Sequence, residues 1–161
     1  MVSLNFYQAK DLADLDFQLD EIQSDYSALP KLALERIEER NLNDDFFAYP
    51  VTVFAEGKIA GFFVLDFGND KFEFTTQSDS VLLRSLSINP KFQGKGIGTS
   101  VVITIDDFVK EHFHNCKEIV LSVNERNISA LEIYLKTGYH LTGKIKEGRS
   151  GPQLVMAKIL D

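Results

Sequence analysis

Apolar and polar residues alternate over positions 2–8, the period of two expected of a half-buried strand. At Asp11 the rhythm changes: Leu12, Leu15, Leu19 and Ile22 recur every three or four residues, which predicts a helix. Pro30 breaks the chain, and Leu32, Leu34 and Ile37 interleaved with Glu35, Arg36, Glu38, Glu39 and Arg40 predict a second, more exposed helix ending near Asn41. Residues 43–50 read as a loop. The β-branched and aromatic run 51–55, the turn Glu56-Gly57-Lys58 and the returning run 59–67 form a hairpin signature. Residues 68–80 are polar, with Phe72 and Phe74 expected to fold back onto the body, and 81–88 read as a strand cut off by Asn89-Pro90. Val102, Ile105, Val109 and Phe113 mark one face of an amphipathic helix whose other face carries Asp106, Asp107, Lys110 and Glu111. A strand over 118–123, a short helix over 128–136 stopped by Gly138, and a closing hairpin of 139–146 and 153–160 complete the pattern.

Composition narrows the field. The 161 residues are 44% apolar, enough for one well-filled core, so a single domain spanning 1–161 is expected. A net charge of −7 argues against nucleic acid, whose binding depends on clustered Lys and Arg, and favours the approach of a cationic small molecule. The lone Cys116 excludes an internal disulfide and fits a reducing compartment. With neither a basic leader nor a run of about 20 apolar residues, a cytoplasmic protein without membrane contact is expected. His112, His114 and His140 lack metal-ligand spacing, so no metal is predicted.

The candidate chemistry lies in the link between the strand 81–88 and the helix that follows it. Gly94, Gly96 and Gly98 would let main-chain N–H groups converge on an anion at the positive helix end, and a phosphate suits that place. A P-loop is ruled out because Gly96, not Ser or Thr, follows Lys95; a dinucleotide fingerprint would need its glycines after the first strand of a βαβ unit.

Gln93, Gly96 and Gly98, preceded by Leu86-Ser87-Ile88-Asn89-Pro90, resemble the signature of the GNAT acetyltransferase superfamily: Gln or Arg, two residues, Gly, one residue, Gly or Ala. About thirty residues on, Asn127, Ala130, Tyr134, Gly138 and Tyr139 are similar to its second motif, and the resemblance covers nearly the whole chain. It implies an α+β fold, an α/β/α sandwich with a mixed, mostly antiparallel central sheet. Strands 82–88 and 118–123 would be a splayed parallel pair, and helices would cover both faces. It implies acetyl-CoA as cosubstrate, held by Leu86, Ser87 and Ile88 on the strand and by Gln93, Gly94, Lys95, Gly96, Ile97, Gly98 and Thr99 in the loop. Asn127, Ala130 and Tyr134 would hold it from the next helix. An N–H near Ile88 would polarise the thioester carbonyl.

The reaction the resemblance implies is direct attack of a primary amine on the thioester in a ternary complex. Tyr134 would act as the acid that protonates the departing sulfur; the alternative for an aromatic at helical spacing is a core position. Some members of the superfamily place a Glu near the start of the central strand, where this chain has Leu82 and Leu83, and no base is assigned. The stretch 18–26 is similar to bacterial polyamine acetyltransferases, which makes Tyr26 a candidate acceptor residue. Arg84 departs from that pattern. Placed two residues before Leu86, it would share a strand face with it and attract a carboxylate, pointing to an amino-acid-like acceptor, unless it is used in an ion pair with local acids. Acetylation of a protein N-terminus or lysine, and a non-catalytic acetyl-CoA sensor, are the alternatives. A monomer or homodimer is expected.

Overall fold

The computed structural model describes residues 1–19, 29–42 and 47–161. One seven-stranded sheet runs in the order β1-β2-β3-β4-β5-β7-β6. Its strands are β1 (Val2–Phe6), β2 (Ala48–Ala55), β3 (Lys58–Asp66), β4 (Ser80–Ile88), β5 (Glu118–Asn124), β6 (His140–Gly148) and β7 (Gly151–Ile159). Among the described residues three α-helices join them: α1 (Pro30–Arg40), α2 (Ile97–His112) and α3 (Ile128–Lys136). Every neighbouring pair of strands is antiparallel except β4 and β5, giving the mixed α+β architecture expected from the resemblance.

Both sheet faces are covered, which is why β3 reads as an almost unbroken apolar run. On one face Phe63 and Leu65 join Val81, Leu83, Leu121 and Met156 beneath Val102, Ile105 and Val109 of α2. On the other, Phe62 and Val64 meet Leu15 and the α1 residues Ala33 and Ile37. Further along that second face Phe74 packs on Leu82, Val120 and Ala157, whereas Phe72 stays exposed. The β2–β3 turn is a two-residue turn with φ of 51° at Glu56 and 76° at Gly57.

Three local expectations change. The segment after β1 forms a 3-10 helix, Ala9–Leu15, and does not continue as an α-helix through Leu19; Ile22 lies outside the described residues. Leu12 is therefore exposed while Leu15 is buried. The buried carboxylate of Asp11 accepts from the Gln8 N–H and the Thr52 hydroxyl, both at 3.0 Å, which pins this turn to β2. Residues 48–50 belong to β2 and not to a loop, and the carbonyl of Pro50 accepts the Tyr7 N–H at 2.9 Å.

The third change concerns β4. Its register against β3 slips between Phe62 and Val64, with one extra residue on β4, and Ser85 there takes φ of 60°. This β-bulge resets the side-chain alternation. Leu86 and Ile88 pack with the cluster containing Val81 and Leu83, so Arg84 and Leu86 do not share a face as simple alternation predicts.

Candidate active site

The parallel ladder between β4 and β5 is short. It pairs Ser80 with Glu118, Val81 with Ile119 and Leu82 with Val120, then stops although both strands continue. Two clefts open around this splay. The glycine-loop cleft, about 550 Å³, lies between the end of β4, the start of α2 and one side of α3. The front cleft, about 510 Å³, lies between the middle of β4, the far half of β5 and the β6–β7 turn. Leu86, Asn127, Ala130 and Tyr134 line both.

The glycine loop is built from the end of β4 outward. Asn89 closes a short 3-10 turn, Pro90–Phe92, by accepting the Lys91 N–H on its side chain at 3.0 Å. Gly94 and Gly96 then take φ of 78° and 74°, a region costly for other residues. A Cβ on either would meet nothing within 4 Å, so what demands glycine is backbone conformation in front of open space. Gly96 caps α2, whose first helical bond runs from the Ser100 N–H to the Gly96 carbonyl at 3.1 Å. The N–H groups of Ile97, Gly98 and Thr99 therefore have no intrahelical acceptor and lie at the positive end of a 16-residue helix. Gly98 is different: its Cβ would come 3.3 Å from Ile133 Cδ1, so there glycine permits close packing of α2 on α3.

On the opposite wall, Asn127 caps α3, its side-chain oxygen accepting the Ala130 N–H at 3.4 Å. One helical turn beyond Ala130, Tyr134 sits in the core cluster at 9% exposure and stacks edge-on with Tyr139, ring centroids 5.4 Å apart. Burial pushes the Tyr134 phenol up to about 12. The core role and the cleft position thus coexist in one residue. Gly138, φ 104°, ends the helix in a conformation glycine accepts, and a Cβ there would also crowd the Lys158 side chain at 3.0 Å.

Of the coenzyme residues expected from sequence, all line the glycine-loop cleft except Lys95, which is exposed and outside its lining. Val102, Ser129, Glu132, Ile133 and Lys136 line it as well. Sequence reasoning passed over these five; the three- and four-residue spacing of Ser129, Ile133 and Lys136 on α3 was the signal available. Ser87 Oγ is buried beside the same cleft with no hydrogen-bond partner among the described residues. Open φ-positive glycines, unpaired first-turn amides and this orphaned hydroxyl suit an elongated ligand carrying both an anionic group and amides.

In the front cleft Arg84 is 41% exposed and donates through Nη1 to the wholly buried Asp66 at 3.0 Å and to Asp70 at 3.1 Å. Asp70 also accepts from Arg40 at 2.5 Å. Burial alone would raise Asp70, but the two guanidiniums hold its carboxyl below the usual range. Tyr26 lies outside the described residues. Among the described residues, no three His, Cys, Asp or Glu side chains converge as metal ligands would.

The profile of the acetyltransferase (GNAT) family matches residues 10–139. The chain belongs to that family. Its relatives agree: it is 30% identical to YbbJ, an uncharacterized N-acetyltransferase of Bacillus subtilis, over 99% of this chain and 98% of the other. It is also 27% identical to the spermine/spermidine N(1)-acetyltransferase of the same organism, over 83% of each. The GNAT fold is shared with an aminoglycoside acetyltransferase solved with coenzyme A and kanamycin, at a TM-score of 0.76, 20% identity and coverage of 99% and 95%. This GNAT protein is therefore an acetyl-CoA-dependent N-acetyltransferase, with the splayed β4–β5 pair at the centre of its candidate site.

Proposed function

We propose that the protein acetylates a primary amine of a small molecule, with acetyl-CoA held in the glycine-loop cleft and the amine in the front cleft. The observation that carries this reading is the meeting of the two clefts at Leu86, Asn127, Ala130 and Tyr134, where both reactants would touch. Two relatives or fold neighbours act on or bind amines, spermine and kanamycin among them, which supports an amine acceptor. Bound acetyl-CoA would supply the acetyl group as a thioester open to direct attack by a neutral amine.

The residues would divide the work as follows. Ile97, Gly98 and Thr99 present unpaired N–H groups to the pyrophosphate, aided by the positive end of α2. Gly94 and Gly96 let the backbone approach it, Gln93 adds a polar side chain on the same cleft, and Lys95 stays outside. Leu86, Ser87 and Ile88 flank the pantetheine arm along β4, with Ser87 Oγ able to bond an arm amide. Asn127 and Ala130 close the arm in from α3.

Tyr134 keeps its proton at any working pH because burial holds it at about 12. Complete proton transfer from such a phenol to a thiolate of about 8.5 runs uphill, so Tyr134 acts by donating a hydrogen bond to the departing sulfur. Among the described residues the two acids lining the front cleft, Asp70 and Glu73, are held in ion pairs, so the incoming ammonium sheds its proton to solvent in the cleft.

Calorimetric titration with acetyl-CoA, followed by thiol-release assays across small amines, tests the proposal. Expected are saturable binding, amine-dependent release, and intersecting initial-velocity lines from a ternary complex. Tight binding with no release on any amine would reduce the protein to a coenzyme sensor, and release only with peptides would move it to protein acetylation.

A further inference from the structure

We infer that the front cleft selects an amine that also carries a carboxylate, and disfavours polyamines. The inference rests on the proposed acetyl transfer and names the acceptor class for the same site.

The chain as a whole carries −7, yet the described lining of this cleft has four cations, Arg36, Arg84, Lys146 and Arg149, against two acids, Asp70 and Glu73. The described lining therefore runs against the charge of the chain. Both acids are already engaged. Asp70 accepts from Arg40 at 2.5 Å and Arg84 at 3.1 Å, and Glu73 accepts from Lys146 at 2.7 Å. The Lys146 ammonium also lies over the Phe74 ring, 4.5 Å from its centroid, which fixes it further. From the described lining, a polycation entering here would face net repulsion or would have to displace these internal partners.

Two of the cations, Arg84 and Arg36, retain donors. Arg84 makes both of its ion pairs through Nη1, and the rest of its planar fork remains on a side chain that is 41% exposed to the cleft. The wholly buried Asp66 and its neighbour Asp70 hold that guanidinium in place, so little freedom remains to be lost on binding. Arg36 of α1 reaches the same cleft from the other wall, exposed and with no ion pair among the described residues. Two guanidiniums of this kind suit the bidentate geometry of a carboxylate. Leu82, Leu121 and Phe74 offer an apolar bed for the carbon skeleton between carboxylate and amine.

Matched pairs differing only in the carboxylate isolate the effect: L-lysine against cadaverine, and L-methionine against 3-(methylthio)propylamine, with spermine as the polycation. Thiol release by the full chain should give the carboxylate member about tenfold higher kcat/KM, the scale of one charged hydrogen bond. Arg36→Ala, and Arg84→Lys, which keeps a charge beside Asp66 but loses the fork, should each shrink that ratio while the KM for acetyl-CoA holds. A higher kcat/KM for cadaverine or spermine would overturn the inference and leave acetyl transfer standing. Acetyl-CoA binding with no release on any of the five amines would instead strike the acetyl-transfer reading itself.

Discussion

A Cβ placed on Gly61 would stand 2.5 Å from the main-chain carbonyl oxygen of Ser87 and 2.9 Å from Ile88 Cδ1. Gly61 pairs with Ile88 across the β3–β4 ladder, at the edge of the bulge, so glycine here lets β4 lie close enough to β3 for its last turn of direction. Gly61→Ala should cost about 1–3 kcal/mol as β4 is forced away. It should also weaken acetyl-CoA binding, since Ser87 and Ile88 line the glycine-loop cleft. Urea midpoints and calorimetric titration read the two effects; an unchanged midpoint would mean that β4 yields without cost.

Tyr134→Phe removes the hydroxyl and keeps the ring that packs on Tyr139. Turnover should fall about 100-fold, the lower range for loss of a hydrogen-bond donor aimed at developing charge, with the acetyl-CoA dissociation constant nearly unchanged. Equal turnover in the two proteins would strip Tyr134 of its chemical role and leave it as core.

Alkaline pH supplies an independent reading of the same group. Tyr134 titrates at about 12 in the folded chain and at about 10 when unfolded, so between those values only the unfolded state has lost its proton. Stability should hold below about pH 10 and fall as pH rises from about 10 to about 12, by up to about 3 kcal/mol from this side chain. Tyr139, raised by burial and by nearby Asp106, adds in the same direction. Denaturant unfolding at stepped pH should show a shallower alkaline decline for Tyr134→Phe than for the parent.

The β6–β7 turn is latched to β5. Asn124 Nδ2 donates to the Ser150 carbonyl at 3.0 Å, Arg126 donates to the same oxygen, and the Glu125 N–H donates to the Pro152 carbonyl at 3.1 Å. This latch sets one wall of the front cleft, where Arg149, Ser150 and Gln153 stand. Asn124→Ala should cost about 1–2 kcal/mol and raise the acceptor KM several-fold while the acetyl-CoA KM stays. A parallel rise in both constants would show that the latch acts on the fold as a whole.

Element by element, the strong periodic signals read well. The helix over residues 128–136 coincides with α3, and the amphipathic run ending near Phe113 is α2. The segment after Asp11 did not, because Asp11 uses its carboxylate to tie the Gln8 amide and Thr52 of a strand 41 residues away, and a tight 3-10 turn meets that demand better than a longer helix. Arg84 shows the same limit at the site. Whether it greets a ligand or a neighbour depended on Asp66 and Asp70, and on a bulge at Ser85 that no alternation rule reveals.

Local chemistry was enough to place the glycine loop between strand and helix, the Asn127 cap and the tyrosine about two turns beyond it, because each depends on neighbours within a few residues. Spacing along the chain carries that information directly. The joining of two clefts at Leu86 and Tyr134, and the positive described lining of the front cleft, came from contacts between distant segments. Such contacts follow from strand register and the sum of packing over the whole chain, and a linear reading holds neither.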